Sequence, residues 1–269
     1  MKTNQELRVG IVNSGGGVGD HVQFCGMPEN YYLNTGKKLI DLNNSWYFDH
    51  NPYVERGVKC DLIIDLYGCL RYSAEGSGNF KKEKINFKDE NFYVSQAERF
   101  KQILNIEKTY LRHPRLYKYE NLQTLKPGII TVHTTGRSEG GTMPDAVIEK
   151  IQENYKTYTI YQIGGKEDKK APFIDKRGLG LWQTSELIAS SQIFIGVNSG
   201  MMNIAQCYPR VNRKLVLIEN HHIETKDFDY YRPLCYYKEG ANSPWVDYNW
   251  QYYNVYEHDL GITYSYNKI

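Results

Sequence analysis

Two parts of the sequence combine residue types and spacings suited to chemistry. The first is Ser14-Gly-Gly-Gly-Val-Gly-Asp20, which follows the apolar run Leu7-Arg-Val-Gly-Ile-Val-Asn13. Four glycines within residues 15–19 are costly to order, so their presence suits a backbone that turns tightly and lets a ligand come close. A helix starting just beyond such a turn offers unpaired N–H groups to an anion. The loop is not a dinucleotide fingerprint, because counting from Gly15 the third glycine position is Asp20. It is not a P-loop either, since no Gly-Lys-Ser/Thr follows. Asp20 would repel a diphosphate, so it fits an acceptor hydroxyl or, equally, a cap on its own helix.

The second part is a trio of short polar loops: His133-Thr-Thr-Gly-Arg137, Gly164-Gly-Lys-Glu167 and Asn198-Ser-Gly-Met201. Each follows a run that reads as a strand. In an open parallel sheet, ligands bind beyond the carboxyl ends of the strands. Arg137 and Lys166 could neutralise a diphosphate. A single loop cation is usually only solvated; three such loops together favour a ligand.

The surrounding pattern supplies the elements to position them. Strands are expected at Leu7–Asn13, Lys38–Leu42 and Cys60–Tyr67, with a helix from His21 to Asn34 stopped by Gly36. Residues 71–92 are polar and read as a long loop, and Val94–Leu104 as an amphipathic helix. The pattern breaks around Asn121–Gly128, which places a domain boundary at residues 125/126. It then restarts. Strands are expected at Gly128–Val132, Tyr158–Ile163, Ile193–Val197 and Leu215–Ile218, the last clear strand. Thr142, Pro144 and Asp145 suit a helix start, as does Thr184 with Glu186 near the positive end of its helix. The fold class is therefore α/β, with two Rossmann-like parallel-sheet domains spanning 1–125 and 126–269.

The bulk numbers narrow the field. The 33 basic and 31 acidic residues give a net charge of +2, so no stable nucleic-acid partner is expected. The sequence has no apolar run long enough to span a membrane and no signal-peptide pattern, so a cytoplasmic protein is expected, with peripheral membrane contact left open. The 5 cysteines lack CxxC spacing and read as reduced thiols. No cofactor is expected.

Three stretches resemble the heptosyltransferase-type family of GT-B glycosyltransferases. Ser14–Asp20 with Met27-Pro28 is similar to the family's opening strand, loop and helix. Asn51-Pro-Tyr-Val54 followed by Cys60–Leu66 resembles its next characteristic stretch. Thr184–Ala205 is similar to its donor-binding helix, strand and Asp-Ser/Thr-Gly loop. The resemblance runs to about residue 220. It implies an inverting, metal-independent transfer of a hexosyl or heptosyl group from a nucleotide sugar to a carbohydrate or lipid-linked acceptor, as in glycan biosynthesis. It also implies donor binding mainly on the C-terminal domain, acceptor binding mainly on the N-terminal one, and Asp20 as general base. The chain departs from the family pattern in having Asn198 for the aspartate, Asn203 for a histidine and Arg137 as the nearest cation to the usual lysine, so the donor's base and sugar stay open.

Combining the residues with the resemblance, the expected donor contacts are Ser14, Gly16, Gly17, Thr134, Thr135, Arg137, Gly164, Gly165, Lys166, Glu186, Asn198, Ser199, Gly200 and Met201. No metal ligand is expected; His221, His222 and His258 read as loop histidines, and Glu139 and Glu167 as isolated loop acids. Glu219 could contact a ribose. The aromatic-rich tail from Tyr230 to Ile269 reads as a segment packing back on the domains. Two other readings stand beside the transferase. One is a nucleotide-sugar-modifying or dinucleotide-dependent enzyme, supported by the glycine loop and Asp41 at the end of the second strand. The other is a ligand-binding relative without activity, supported by Asn198 and Asn203.

Overall fold

The computed structural model describes residues 7–13, 15–22, 24–65, 114–119, 126–136, 141–197, 199–208, 211, 213–217 and 245–247. The chain divides into two compact units, Met1–Lys118 and Tyr119–Ile269.

In the first unit four parallel strands lie in the order β3-β2-β1-β4: β1 (Val9–Val12), β2 (Leu39–Asp41), β3 (Val54–Glu55) and β4 (Leu62–Asp65). Their small, β-branched and leucine side chains suit a sheet covered by other elements. Val9, Ile11, Leu39, Ile40 and Ile64 are buried with Phe24, Tyr31, Tyr47 and Phe48. The single expected helix over His21–Asn34 is two: α1 (Val18–Val22) and α2 (Met27–Thr35). Residues 24–26 form a turn between them, and Pro28 begins α2, where a missing N–H costs nothing. Gly36 ends α2 as expected. It adopts φ 69° and donates its N–H to Tyr32 O at 2.7 Å.

Glu29, on α2, ties in a later stretch of chain. Arg115 grips its carboxylate through one nitrogen at 2.7 and 3.0 Å, and the Tyr117 hydroxyl donates to it at 2.5 Å. Burial, with the Glu29 carboxylate adding to it, pushes the Tyr117 phenol far above the ordinary tyrosine range.

The second unit holds a six-stranded sheet in the order β10-β9-β8-β5-β6-β7. The strands are β5 (Ile129–His133), β6 (Thr159–Ile163), β7 (Ile174–Asp175), β8 (Ile193–Val197), β9 (Arg213–Leu217) and β10 (Trp245–Asp247). All pair in parallel except β10, which runs antiparallel to β9. The sequence missed β3, β7 and β10, each only two or three residues long. Leu215–Ile218 is thus not the last strand: Trp245–Asp247 in the aromatic tail forms another. Helices α3 (Asp145–Asn154), α4 (Leu181–Ser190) and α5 (Gly200–Gln206) connect the strands.

Alternation along β5 separates two faces. Ile130 and Val132 join Ile148 and Ile151 of α3 and Ile193, Ile195 and Val197 of β8 in one core cluster, each such side chain gaining about 1.5–3 kcal/mol from burial. Thr131 and His133 point to the other face, where Thr131 meets the Ser191 hydroxyl at 3.2 Å and His133 meets Ser199.

Two helix starts differ from expectation. Thr142 does not cap α3; it bridges to Thr135, and Pro144 occupies the cap position. Thr184 does not cap α4. That helix starts earlier, at Leu181, with Gly180 at the cap position and its N–H accepted by the Gln183 side chain at 3.1 Å. Thr184 is buried in mid-helix, and Glu186 lies in the second turn rather than at the positive end. The 71–92 stretch, the Val94–Leu104 helix, and Glu219, His221, His222 and His258 lie outside the described residues, as does the tail apart from β10.

Candidate functional site

Each sheet reverses direction once. In the first unit the chain steps from β1 to β2 to β3 and then returns to place β4 on the far side of β1. In the second it steps from β5 to β6 to β7 and then returns to place β8 on the far side of β5. The loops diverging from such a point leave a crevice at the carboxyl ends of the strands. The glycine-rich loop follows β1. The Thr134-Thr135 and Asn198-Ser199 loops follow β5 and β8. The sequence-selected loops therefore stand at both reversal points.

The second site is built around His133. It pairs in register with Ile163 on one side and Gly196 on the other, so the carboxyl ends of three adjacent strands lie level to within one residue. The residue is 5% exposed. Nε2 lies 3.2 Å from Asp168 Oδ2, and Nδ1 lies 2.9 Å from Ser199 Oγ. Asp168 Oδ2 also accepts the Gly165 N–H at 2.7 Å. Two glycines make room for the ring. A Cβ on Gly164, which has φ +122°, would come 2.7 Å from His133 Cδ2 and 2.1 Å from Asp168 Oδ2. A Cβ on Gly196 would lie 3.3 Å from His133 Cβ and 2.8 Å from Phe194 Cζ. Both glycines are explained by close approach to side chains of this network.

A second set of bonds fixes the loop after β5. Gln162 Nε2 donates to Thr134 Oγ1 at 3.0 Å and to Lys169 O at 2.6 Å, while Ala171 N–H donates to Gln162 Oε1 at 2.9 Å. The Thr134 hydroxyl donates to Lys169 O at 2.6 Å. Lys169 N–H donates to Thr135 Oγ1 at 2.9 Å, leaving that hydroxyl its own proton to give. Lys169 Nζ donates to Met143 O at 2.9 Å and pairs with Asp145 at 2.7 Å. Arg177 closes the loop after β6, donating to Lys166 O at 3.2 Å and Asp168 O at 2.5 Å. Its bonds to Asp175 hold that carboxyl well below the usual carboxylate range.

These bonds sort the expected contacts. Thr134 and the Gly165 N–H are committed inward and hold the loops in shape. Gly164 makes room for His133, and the stem of Lys166 packs over Gly178. Thr135 and Ser199 keep hydroxyls beside the reversal point. Ser199 stands at the cap position of α5 with its hydroxyl turned to His133 instead of the helix N–H groups; Gly200 and Met201 are the first helical residues, and Asn203 donates back to Ser199 O at 3.4 Å. Glu186 stands on α4 away from these bonds and accepts the Tyr119 hydroxyl; burial, then the Glu186 charge and this hydrogen bond, raise the Tyr119 phenol above its ordinary range. Arg137, Glu139 and Asn198 lie outside the described residues. Sequence reasoning named the loop beginning at His133 but missed Asp168, Gln162 and Lys169.

In the first unit, Gly16 has φ 93°, in the left-handed region where glycine is favoured. Gly17 O accepts the His21 N–H at 3.2 Å, and His21 Nε2 meets Gly15 O at 2.9 Å. Asn13 donates its side-chain NH₂ to the Tyr47 hydroxyl at 3.1 Å and its backbone N–H to Asn43 at 2.8 Å. Asp20 is the third residue of α1, inside the first turn rather than before it; its side chain and Ser14 lie outside what the structure describes.

Asp41 argues against a dinucleotide site. Its carboxylate accepts N–H groups of Asn43 at 3.1 Å and Ser45 at 2.6 Å, the Ser45 hydroxyl at 3.2 Å and Arg56 Nε at 3.1 Å. It is consumed by its own loop and has no capacity left for a ribose. A Tyr-x-x-x-Lys spacing occurs once, at Tyr264 and Lys268, outside the described residues. The expectation of metal-independent transfer has to reckon with one Asp-x-Asp triplet, Asp227-Phe-Asp229, also outside them. Among the described residues no three His, Cys, Asp or Glu side chains gather as metal ligands, and no helix is long and apolar enough to cross a membrane.

No family model matches the sequence, and no curated protein matches it. Solved structures do match in shape. One is the dodecameric iron-containing heptosyltransferase TibC in complex with ADP-D-β-D-heptose, at 14% identity and TM-score 0.58 over 79% of this chain and 58% of that one. Another is Escherichia coli heptosyltransferase WaaC with ADP, at 12% identity and TM-score 0.56 over 76% of this chain and 85% of that one. A third is a glycosyl transferase family 9 protein from Veillonella parvula, at 10% identity and TM-score 0.59 over 88% of this chain and 92% of that one. The chain thus spans just over half the length of TibC and most of the other two. With a reversal point at the head of each sheet and these matches in shape, the chain has the α/β GT-B fold of the heptosyltransferase-like glycosyltransferases.

Proposed function

We propose that the protein transfers a sugar from a nucleotide-sugar donor to an acceptor hydroxyl. The observation that carries this reading is the convergence of the loops after β5, β6 and β8 on His133, with Thr135 and Ser199 keeping hydroxyls beside the reversal point. TibC, bound to ADP-heptose, and WaaC, bound to ADP, share the fold, which supports a donor of the same general kind here. The second unit takes the donor. Thr135, Ser199, Arg137 and Asn198 meet its diphosphate, with Gly200 and Met201 lining the site, while Thr134, Gly164, Gly165 and Lys166 shape it; Glu186, engaged with Tyr119, takes no part.

The first unit takes the acceptor, a carbohydrate or a lipid-linked glycan, and the boundary near residue 125 separates the two tasks. Asp20 accepts the proton of the acceptor hydroxyl as its oxygen attacks the anomeric carbon. The bond from that carbon to the diphosphate breaks, the diphosphate leaves with the electron pair, and the configuration at the anomeric carbon is inverted. Arg137, with the N–H groups of the second unit's loops, stabilises the charge that builds on the diphosphate. Fixed cations and N–H groups suffice without a metal, and the reaction proceeds in the cytoplasm, where nucleotide sugars are at hand.

A thermal-shift screen against ADP-, UDP-, GDP- and CMP-sugars tests this. A ligand at 100 times its Kd adds about 2.7 kcal/mol of stability. Release of nucleoside diphosphate with the stabilising donor then distinguishes a transferase from a relative that only binds. Stabilisation by none of the four would overturn the reading.

A further inference from the structure

The bonds at His133 have a direction, and the direction turns on one proton. Asp168 Oδ2 already accepts an N–H from Gly165 at 2.7 Å, and a carboxylate only accepts, so His133 Nε2 carries hydrogen toward it across 3.2 Å. Nδ1 faces Ser199 Oγ at 2.9 Å. When the imidazole is neutral, Nδ1 is an acceptor and takes the single proton of the Ser199 hydroxyl. When the imidazole is protonated, Nδ1–H donates to Oγ, and the hydroxyl proton turns to another acceptor. A diphosphate ester offers acceptors alone, so it distinguishes the two states.

We propose that His133 is a positioning residue that couples binding of a diphosphate ligand at Ser199 to uptake of one proton. This rests on the donor-site reading above. The proton goes to Nδ1, and no covalent bond other than N–H changes. The imidazolium charge is balanced by Asp168 on one side and by the arriving diphosphate on the other. A buried ion pair forms only when hydrogen bonds complete it, and Asp168 has its Gly165 bond in place.

The surroundings leave few other groups able to produce the same proton linkage. From the segment after β6, the charged groups are Asp168 itself, Lys166, Glu167, Lys169 and Lys170, with Arg177 bound to the Lys166 and Asp168 carbonyls. Lys169 Nζ is paired with Asp145 at 2.7 Å. From β8 and from α5 no acidic, basic or histidine side chain comes forward, because Ile193–Val197 and Gly200–Gln206 contain none; from α4, which also packs on β5, the charged residue is Glu186, and it accepts the Tyr119 hydroxyl. From the loop after β5, Thr134 and Thr135 carry no charge; Arg137 and Glu139 follow them in sequence. Histidine is the side chain whose charge changes between about pH 5 and 8.

The test is calorimetric titration of the full chain with ADP-ribose, UDP-glucose and GDP-mannose. A diphosphate esterified at both ends lacks the secondary ionisation of a terminal phosphate, so proton uptake reports on the protein. Repeating the titration in buffers of different ionisation enthalpy counts the protons. The expected result is uptake approaching one proton, with affinity falling toward tenfold per pH unit as the pH rises through the histidine range. His133→Asn and Ser199→Ala should each bind more weakly and lose both the uptake and the slope, while Ser199→Thr keeps them. If His133 served the fold alone, the variants would bind more weakly by the same factor at every pH. A wild-type protein that binds without proton uptake, or a Ser199→Ala variant that keeps the full slope, overturns the coupling and leaves the donor site standing. Failure of the wild type to bind any of the three ligands overturns the donor site and the coupling with it.

Discussion

The two reversal points are built from different materials. In the second unit, side chains from three loops close on one another through His133, Asp168, Ser199, Gln162 and Thr134. In the first, the loop after β1 is glycine backbone held at its base by His21 and Asn13. A braced loop keeps hydroxyls and N–H groups at fixed positions, as stabilising a leaving diphosphate requires. A glycine loop offers backbone and closeness, with little side-chain direction of its own. The proposed function divides the labour accordingly: binding power for a constant chemical group in one unit, accommodation and proton removal in the other.

The sharpest way to break that division is Asp20→Asn. It is expected to lower turnover by about a hundred- to ten-thousandfold, the usual worth of a general base, while the donor affinity of the second unit stays put. Turnover and calorimetry on the same preparation check it. Near-normal turnover would reduce Asp20 to a polar residue in the first turn of α1.

The rigidity of the braced loop can be compared directly with that of an ordinary helix end. Gly164→Ala forces a Cβ to 2.1 Å from Asp168 Oδ2 at φ +122°, so chemical denaturation should show a loss of roughly 2–3 kcal/mol. Gly36→Ala in the first unit meets nothing within 4 Å at φ +69°, and should cost about 1 kcal/mol. Equal losses would mean that backbone conformation alone, not the packed carboxylate, sets the need for Gly164.

Much of this architecture is legible in the sequence, for local reasons. Ile193–Val197 is an unbroken apolar run and forms a strand at the predicted bounds. Gly36 stops its helix because a left-handed residue there is a local demand. The glycine loop and the loops after β5 and β8 were identifiable because small polar residues follow apolar runs. The brace was not, because its members are far apart: 35 residues separate His133 from Asp168, and 66 separate it from Ser199. Nothing local marks Asp168 among Lys166-Glu-Asp-Lys-Lys170 as the acid that turns inward. The break between α1 and α2 escaped notice because Phe24 and Cys25, which form the turn with Gly26, are buried hydrophobics that would sit equally well in a helix.

Arg137→Ala gives a smaller, more selective effect. If the cation serves the diphosphate, affinity for a nucleoside diphosphate should fall about tenfold, in line with a charge-assisted hydrogen bond, while affinity for the bare nucleoside is unchanged. Calorimetry with the two ligands decides it. Equal losses for both would remove the phosphate role and leave the braced loop to act through neutral donors.

The smallest expected effect is that of chelation, namely none. Mg²⁺ and Mn²⁺ prefer oxygen ligands, and a transferase that depends on them holds the metal with carboxylates near the diphosphate. Among the described residues of the braced reversal point the buried carboxylate is Asp168, and it faces His133 and the Gly165 N–H. Turning it toward a metal would strip His133 of its acceptor. The remaining acids of these loops, Glu139 and Glu167, are single residues on separate segments. Asp227-Phe-Asp229 is the one carboxylate pair in the sequence with the spacing of a metal-dependent donor site. Turnover should therefore be the same in excess EDTA and in added Mg²⁺ or Mn²⁺, and Asp227→Asn with Asp229→Asn should leave it metal-indifferent. Activity lost to EDTA, restored by Mn²⁺ and absent from the double variant would move the diphosphate's counter-charge from the second unit's loops to the segment after β9. The division between a braced binding site and a glycine loop would then no longer account for the chemistry.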